Sequence, residues 1–307
     1  MRCDRLSEMA GTIRETQHAE RFPSHRIPLT RTVLDATQHT LIMGIINVTP
    51  DSFSDGGVHF NRESAVSSAL EMLDAGADIV DVGGESTRPG SEFVEADEEK
   101  ARSIPVIEGI MAHRPDAVVS IDTRRRKVAE AALKAGAQII NDVSGFRHDS
   151  SLVDLGRESG AALVVMHMLG SPRTMQKEIR YHSFPEDIYD FFTQRIGYLE
   201  DSGIDPAKIV IDPGIGFGKT FDQNLTLLNR LDFFSPLGKH IMVGASRKAF
   251  LGRILDEPVA GHRDQGTLAT TAAAILRGAS IVRVHDVAST IPVSRVADAI
   301  RRERVNP

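Results

Sequence analysis

Gly76-Ala-Asp-Ile-Val-Asp81, Gly136-Ala-Gln-Ile-Ile-Asn141 and Gly278-Ala-Ser-Ile-Val-Arg283 are three copies of one unit: a glycine, a short apolar run, and a polar residue that differs in each copy. Before the first copy, Val66, Ala69, Leu70 and Leu73 fall at i, i+3, i+4 and i+7; Val128, Ala131, Ala132 and Ala135 repeat the spacing before the second. This spacing marks one face of a helix, stopped by a C-terminal glycine and followed by a strand. Working outward, eight apolar runs recur, starting at Leu41, Asp78, Ala117, Gln138, Ala162, Lys208, His240 and Ser280. Runs apolar on both faces suit buried parallel strands. Residues 95–111, 185–202, 221–233, 262–277 and 287–303 also read as helical. Eight strands alternating with helices over about 265 residues predict a single (β/α)8 TIM barrel, residues 39–307, preceded by an N-terminal extension, residues 1–38. That extension reads as a tail and a plug for the bottom of the barrel. An open doubly wound sheet lacks support, because no GxGxxG follows the first strand.

The polar member of each copy lies near the C-terminal end of its strand, where a barrel keeps its active site. A weaker fourth copy starting at Gly160 puts Val165 there, so the fold itself does not demand polarity. The 307 residues carry 42 acidic and 36 basic side chains, a net charge of −6, which offers no basic surplus for nucleic acid. The one cysteine, Cys3, excludes an intrachain disulfide and a cysteine-based zinc cluster. The charged N-terminus lacks the apolar stretch of a secretory signal, and no run approaches a membrane span of ~18 apolar residues. The expectation is a cytoplasmic protein with no membrane partner.

The first strand ends in Asn47 and runs into a Ser/Asp/Gly loop, residues 48–57, in which Phe53 offers an apolar group to close over a ligand. After the second strand, residues 83–90 form another glycine-containing loop with an anion-competent Arg88. Gly218-Lys219-Thr220 tempts a P-loop reading, but GxxxxGK[ST] needs glycine where Pro213 stands. The loop after Asp212 reads instead as glycine-lined access for a flat ligand. Ser246-Arg247-Lys248 follows the seventh strand, where barrels often bind phosphate, and alternation puts Arg283 and His285 on one face. Asp122, Asn141 and Asp212 match the donor-rich edge of a heterocycle with a guanidine-like NH and NH2 pair. Arg88, Arg247, Lys248, Arg283 and His285 are expected to make a locally positive mouth. No nucleophile arrangement for covalent acyl chemistry is evident.

Residues 43–57, 81–90, 120–122, 141–145, 212–219, 246–248 and 283–285 together closely resemble the signature blocks of the bacterial dihydropteroate synthases, in order from about residue 40 to about 300. The resemblance implies condensation of 6-hydroxymethyl-7,8-dihydropterin pyrophosphate with 4-aminobenzoate, as a sulfonamide target and a homodimer. It also implies that Asp122, Asn141, Asp212 and Lys248 hold the pterin and that Met166, Gly216 and Phe217 are among the substrate-binding residues. Asn47, Thr87, Arg283 and His285 would hold the pyrophosphate, with Mg2+ at Asn47. Phe53, Arg88, Pro89 and Ser246 would border the aminobenzoate, and Asp122, Lys248, Arg283 and His285 would be the catalytic set.

Two enzymatic rivals remain: a pterin-dependent methyltransferase, which releases no pyrophosphate and gives the Arg283/His285 pair no task, and a Schiff-base aldolase. The second is disfavoured because Lys248 reads as part of a charged rim rather than an apolar pocket that would depress its pKa. A non-catalytic pterin-binding homologue is the third reading.

Overall fold

The computed structural model describes residues 26–48, 58–86, 93–171 and 173–303, with only the backbone for residues 58–61. A two-stranded antiparallel hairpin, β1 (Arg26–Pro28) and β2 (Val33–Asp35), precedes eight parallel strands: β3 (Leu41–Asn47), β4 (Ile79–Gly83), β5 (Val119–Asp122), β6 (Ile139–Asp142), β7 (Ala162–Met166), β8 (Ile209–Asp212), β9 (His240–Val243) and β10 (Ile281–Val284). They pair in sequence order, and β10 closes onto β3 with Ile281 opposite Leu41 and Arg283 opposite Met43. The predicted barrel is what forms.

Nine helices are described around it: α1 (Val58–Asp74), α2 (Ala96–His113), α3 (Arg126–Ala135), α4 (Ser151–Ser159), α5 (Glu186–Asp201), α6 (Phe221–Asn229), α7 (Ala249–Leu255), α8 (Asp264–Leu276) and α9 (Val287–Arg302). The sequence reading missed α4 and α7. Both are short, and each contains a glycine that lowers helix propensity: a Cβ at Gly156 would stand 2.8 Å from Leu163, so α4 trades propensity for close approach to β7. The expected helix over 221–233 instead ends at Asn229, and a 3-10 turn, Leu231–Leu237, follows it.

Period-two alternation divides each strand between two environments. Ile42, Val80, Val82, Ile121, Ile140, Leu163, Ile211 and Val282 face the helices in one apolar cluster. Leu41, Met43, Ile79, Val118, Ile139, Ala162, Val164, Val210, Met242 and Ile281 form a second cluster, joined by Ile27, Leu29, Leu34 and Ala36 from the hairpin segment. The hairpin therefore closes the N-terminal end of the barrel. It is tied there by Gln138, whose side-chain oxygen accepts from Thr30 Oγ1 at 3.1 Å and from the Arg31 amide at 2.8 Å.

Candidate active site

Two residues above that apolar layer, the same strand faces turn polar: Ile79 leads to Asp81, Ile139 to Asn141, Val210 to Asp212 and Ile281 to Arg283. The three polar members of the repeat meet. Asp81 is fully buried, and its Oδ2 accepts from Asn141 Nδ2 at 3.0 Å and from Arg283 Nε at 2.6 Å. Arg283 also donates to Asp122 Oδ2 at 2.9 Å. Asp81 thus joins the expected site residues, and its place in the repeat is the sequence signal for it.

Burial is the largest influence on Asp122. With Asp81 close by it outweighs Arg283 and pushes the carboxyl up to about 8. Burial also raises Asp212, against the opposing pull of Lys248 and a 2.7 Å hydrogen bond from the Gly214 amide. Arg283 loses by burial but gains more from Asp81 and Asp122, so its guanidinium is held charged more firmly than usual.

Lys248 corrects an expectation. Burial, aided by Arg283 and opposed by Asp212, holds its amine down at about 8; the amine lies 4.4 Å from the Phe217 ring centroid and donates to the Ile215 carbonyl. The setting is therefore more apolar than a charged rim. Gly216 makes room for it: φ is +83, and a Cβ would lie 3.0 Å from Lys248 Cδ. Phe217 packs in turn against a buried cluster of Val143, Met166, Met168 and Met175, an apolar wall suited to the face of a flat ring. Behind that wall, buried Lys219 joins the loops after β7 and β8, donating to His167 Nδ1 at 2.8 Å, the His167 carbonyl at 2.9 Å and the Phe217 carbonyl at 3.1 Å.

Ser246 Oγ lies 2.8 Å from His285 Nδ1 and accepts from the His285 amide at 3.3 Å, so His285 faces Ser246 while Arg283 turns inward to carboxylates. The expected side-by-side pair of cations is thus split between two settings. The positive mouth also needs correction, because Arg247 forms a two-point pair with Asp264 at 2.7 and 2.8 Å. Asn47, at the end of β3, stands in register with Gly83, which in turn stands beside Asp122. At the end of β4, Glu85 accepts from Arg124 at 3.2 Å and from Arg125 at 2.9 Å. Phe53, Thr87, Arg88 and Pro89 lie outside the described residues.

A family model described as pterin binding enzyme matches residues 43–285, which sets the class: a pterin-binding enzyme built on a (β/α)8 barrel. The dihydropteroate synthase of Synechocystis is 42% identical over 286 residues, 93% of this chain and 98% of the relative. The Xanthomonas albilineans dihydropteroate synthase solved with 4-aminobenzoic acid superposes with a TM-score of 0.84 at 38% identity, covering 91% of this chain and 98% of that one. The same enzyme in complex with 7,8-dihydropteroate gives 0.81 at 36%, covering 90% and 98%. The Yersinia pestis dihydropteroate synthase with a sulfonamide drug gives 0.84 at 38%, covering 90% and 99%. The chain belongs to the dihydropteroate synthase family.

Proposed function

We propose that the chain condenses 6-hydroxymethyl-7,8-dihydropterin pyrophosphate with 4-aminobenzoate to 7,8-dihydropteroate and pyrophosphate, a step of folate biosynthesis in the cytoplasm. The observation that carries this reading is the buried lattice of Asp81, Asp122, Asn141 and Arg283 beside Asp212 and Lys248, at the mouth of a barrel whose relative binds that product.

Asp122, Asn141 and Asp212 present acceptors to the pterin ring edge, and Met166, Gly216, Phe217 and Lys248 line its face. The C–O bond to the pyrophosphate breaks, leaving a pterin-stabilised cation, and the arylamine nitrogen bonds to that carbon and gives its proton to solvent. Positive charge developing beside Asp122 favours its carboxylate form, which balances that charge. Arg283 spends Nε and one Nη on carboxylates and keeps other N–H donors for the leaving group, which His285 also faces. Aminobenzoate, or a sulfonamide competing with it, is assigned to Ser246; the roles of Phe53, Arg88 and Pro89 toward it, and of Thr87 toward the pyrophosphate, rest on the family resemblance alone.

Among the described residues no group of three carboxylate, thiol or imidazole side chains could cage a metal. Mg2+ arriving with a diphosphate needs only one or two protein oxygens, and the Asn47 amide at the mouth fits that need. When bound, the ion offsets the negative charge of the diphosphate. For the homodimer, exposed Leu276 (45%) on α8 with Val296 and Ile300 (both 61%) on α9 supply an apolar face. A Val296→Glu/Ile300→Glu variant should sediment as a monomer. None of the described helices is long and apolar enough to cross a membrane.

The test is pyrophosphate release measured with and without 4-aminobenzoate and Mg2+. The expected result is release that requires the amine and is blocked by a sulfonamide; release indifferent to the amine would sink the reading.

A further inference from the structure

Arg247 stands between two site residues, Ser246 and Lys248, with φ +58, a left-handed conformation that a residue with a Cβ adopts only when its surroundings impose it. Here the start of α8 imposes it. The Arg247 amide donates to Thr267 Oγ1 at 3.0 Å, its carbonyl accepts from Arg263 Nη1 at 3.1 Å, and its guanidinium grips both oxygens of Asp264. Arg263 is itself pinned, donating to the carbonyls of Glu257 at 2.9 Å and Pro258 at 2.5 Å. Space for it is reserved on α7, since a Cβ at Gly252 would come within 2.6 Å of Arg263 Nε.

The consequences appear on both sides of the turn. Ser246 reaches His285, and Lys248 reaches Ile215 and the Phe217 ring. The two-point pairing with Asp264 directs the guanidinium of Arg247 to α8.

We propose that Arg247 is a positioning residue: clamped by Asp264, it sets the turn that aims Ser246 at His285 and Lys248 at the pterin wall, without binding substrate itself. This rests on the synthase reading above, in which Ser246, Lys248 and His285 meet the substrates.

The test compares Arg247→Gly, Asp264→Asn and the double variant in the full-length enzyme. Glycine adopts the left-handed turn without strain, so Arg247→Gly should fold, and its melting temperature verifies this. Each single variant should lose about tenfold in kcat/KM, with KM rising for both substrates, and the double variant should lose no more, because all three break one clamp. The His285 ring-nitrogen NMR signals should shift in all three. A purely structural role would lower the melting temperature and the active fraction while leaving KM and the His285 signals in place, and would overturn the proposal. So would an Asp264→Asn variant as active as wild type beside a disabled Arg247→Gly, since Arg247 would then touch substrate directly. A wild-type enzyme releasing no amine-dependent pyrophosphate would fail the synthase reading instead, and the His285 signals would still decide whether the clamp exists.

Discussion

The two ends of the barrel are built from the same strands, often from residues only two positions apart, yet they are held together by opposite physics. At the N-terminal end, Ile27 and Leu34 of the hairpin pack against Leu41, Met43, Ile79 and Ile281 in an apolar cluster. At the C-terminal end, Asp81, Asp122 and Arg283 form a buried charge lattice. Removing atoms from an apolar cluster costs contact area and leaves a cavity. Removing one charge from a buried lattice strands the others without a partner.

The largest effect should follow from Arg283→Leu, which leaves Asp81 and Asp122 buried together. It should cost about 3–5 kcal/mol by denaturant unfolding and abolish pyrophosphate release. Adding Asp81→Asn should recover part of the stability and none of the activity; recovery of neither would break the charge-lattice account. At the other end, Ile27→Ala should cost about 2–4 kcal/mol while the folded enzyme keeps its kcat/KM, and a large loss of activity would mean that the two ends are coupled.

The buried groups at the C-terminal end should make stability depend on pH. Between pH about 4 and 8, folded Asp122 keeps a proton that the unfolded carboxyl has lost, so stability falls as the pH rises, by at most about 1.4 kcal/mol per pH unit. Lys248 acts in the opposite sense: from about 8 to 10.5 the unfolded amine holds a proton that the folded one has released, so its contribution to stability rises. Unfolding free energies measured against pH should show the first slope flattened in Asp122→Asn and unchanged in Ile27→Ala. The smallest effect is expected for Gln138→Ala, about 0.5–1.5 kcal/mol, because the donors it releases belong to the exposed Thr30 and Arg31 and can bond water, with kinetics unaffected.

Much of the site was legible because it follows strand periodicity. Asn141, Asp212 and Arg283 could be placed at the barrel mouth by counting two residues from an apolar neighbour, Asp122 as the last residue of its strand, and the repeat set Asp81, Asn141 and Arg283 in equivalent places. Their pairing was not legible. Arg283 looked like a free cation for an anionic ligand, because nothing local announces that Asp81, 202 positions away, will accept from it. Arg247 misled in the same way, since its partner Asp264 lies on another helix, and Lys248 was read from its charged neighbours in sequence rather than from Phe217.

The sequence alone determined the eight strands, most of the helices and which strand faces carry polar residues, because these depend on periodicities of a few residues and on glycines that end helices locally. Only the tertiary structure decided which charges neutralise each other and which stay available for chemistry. Closure of β10 onto β3 brings distant strand ends into one buried space, and desolvation together with short-range pairing there sets each group's charge and reach.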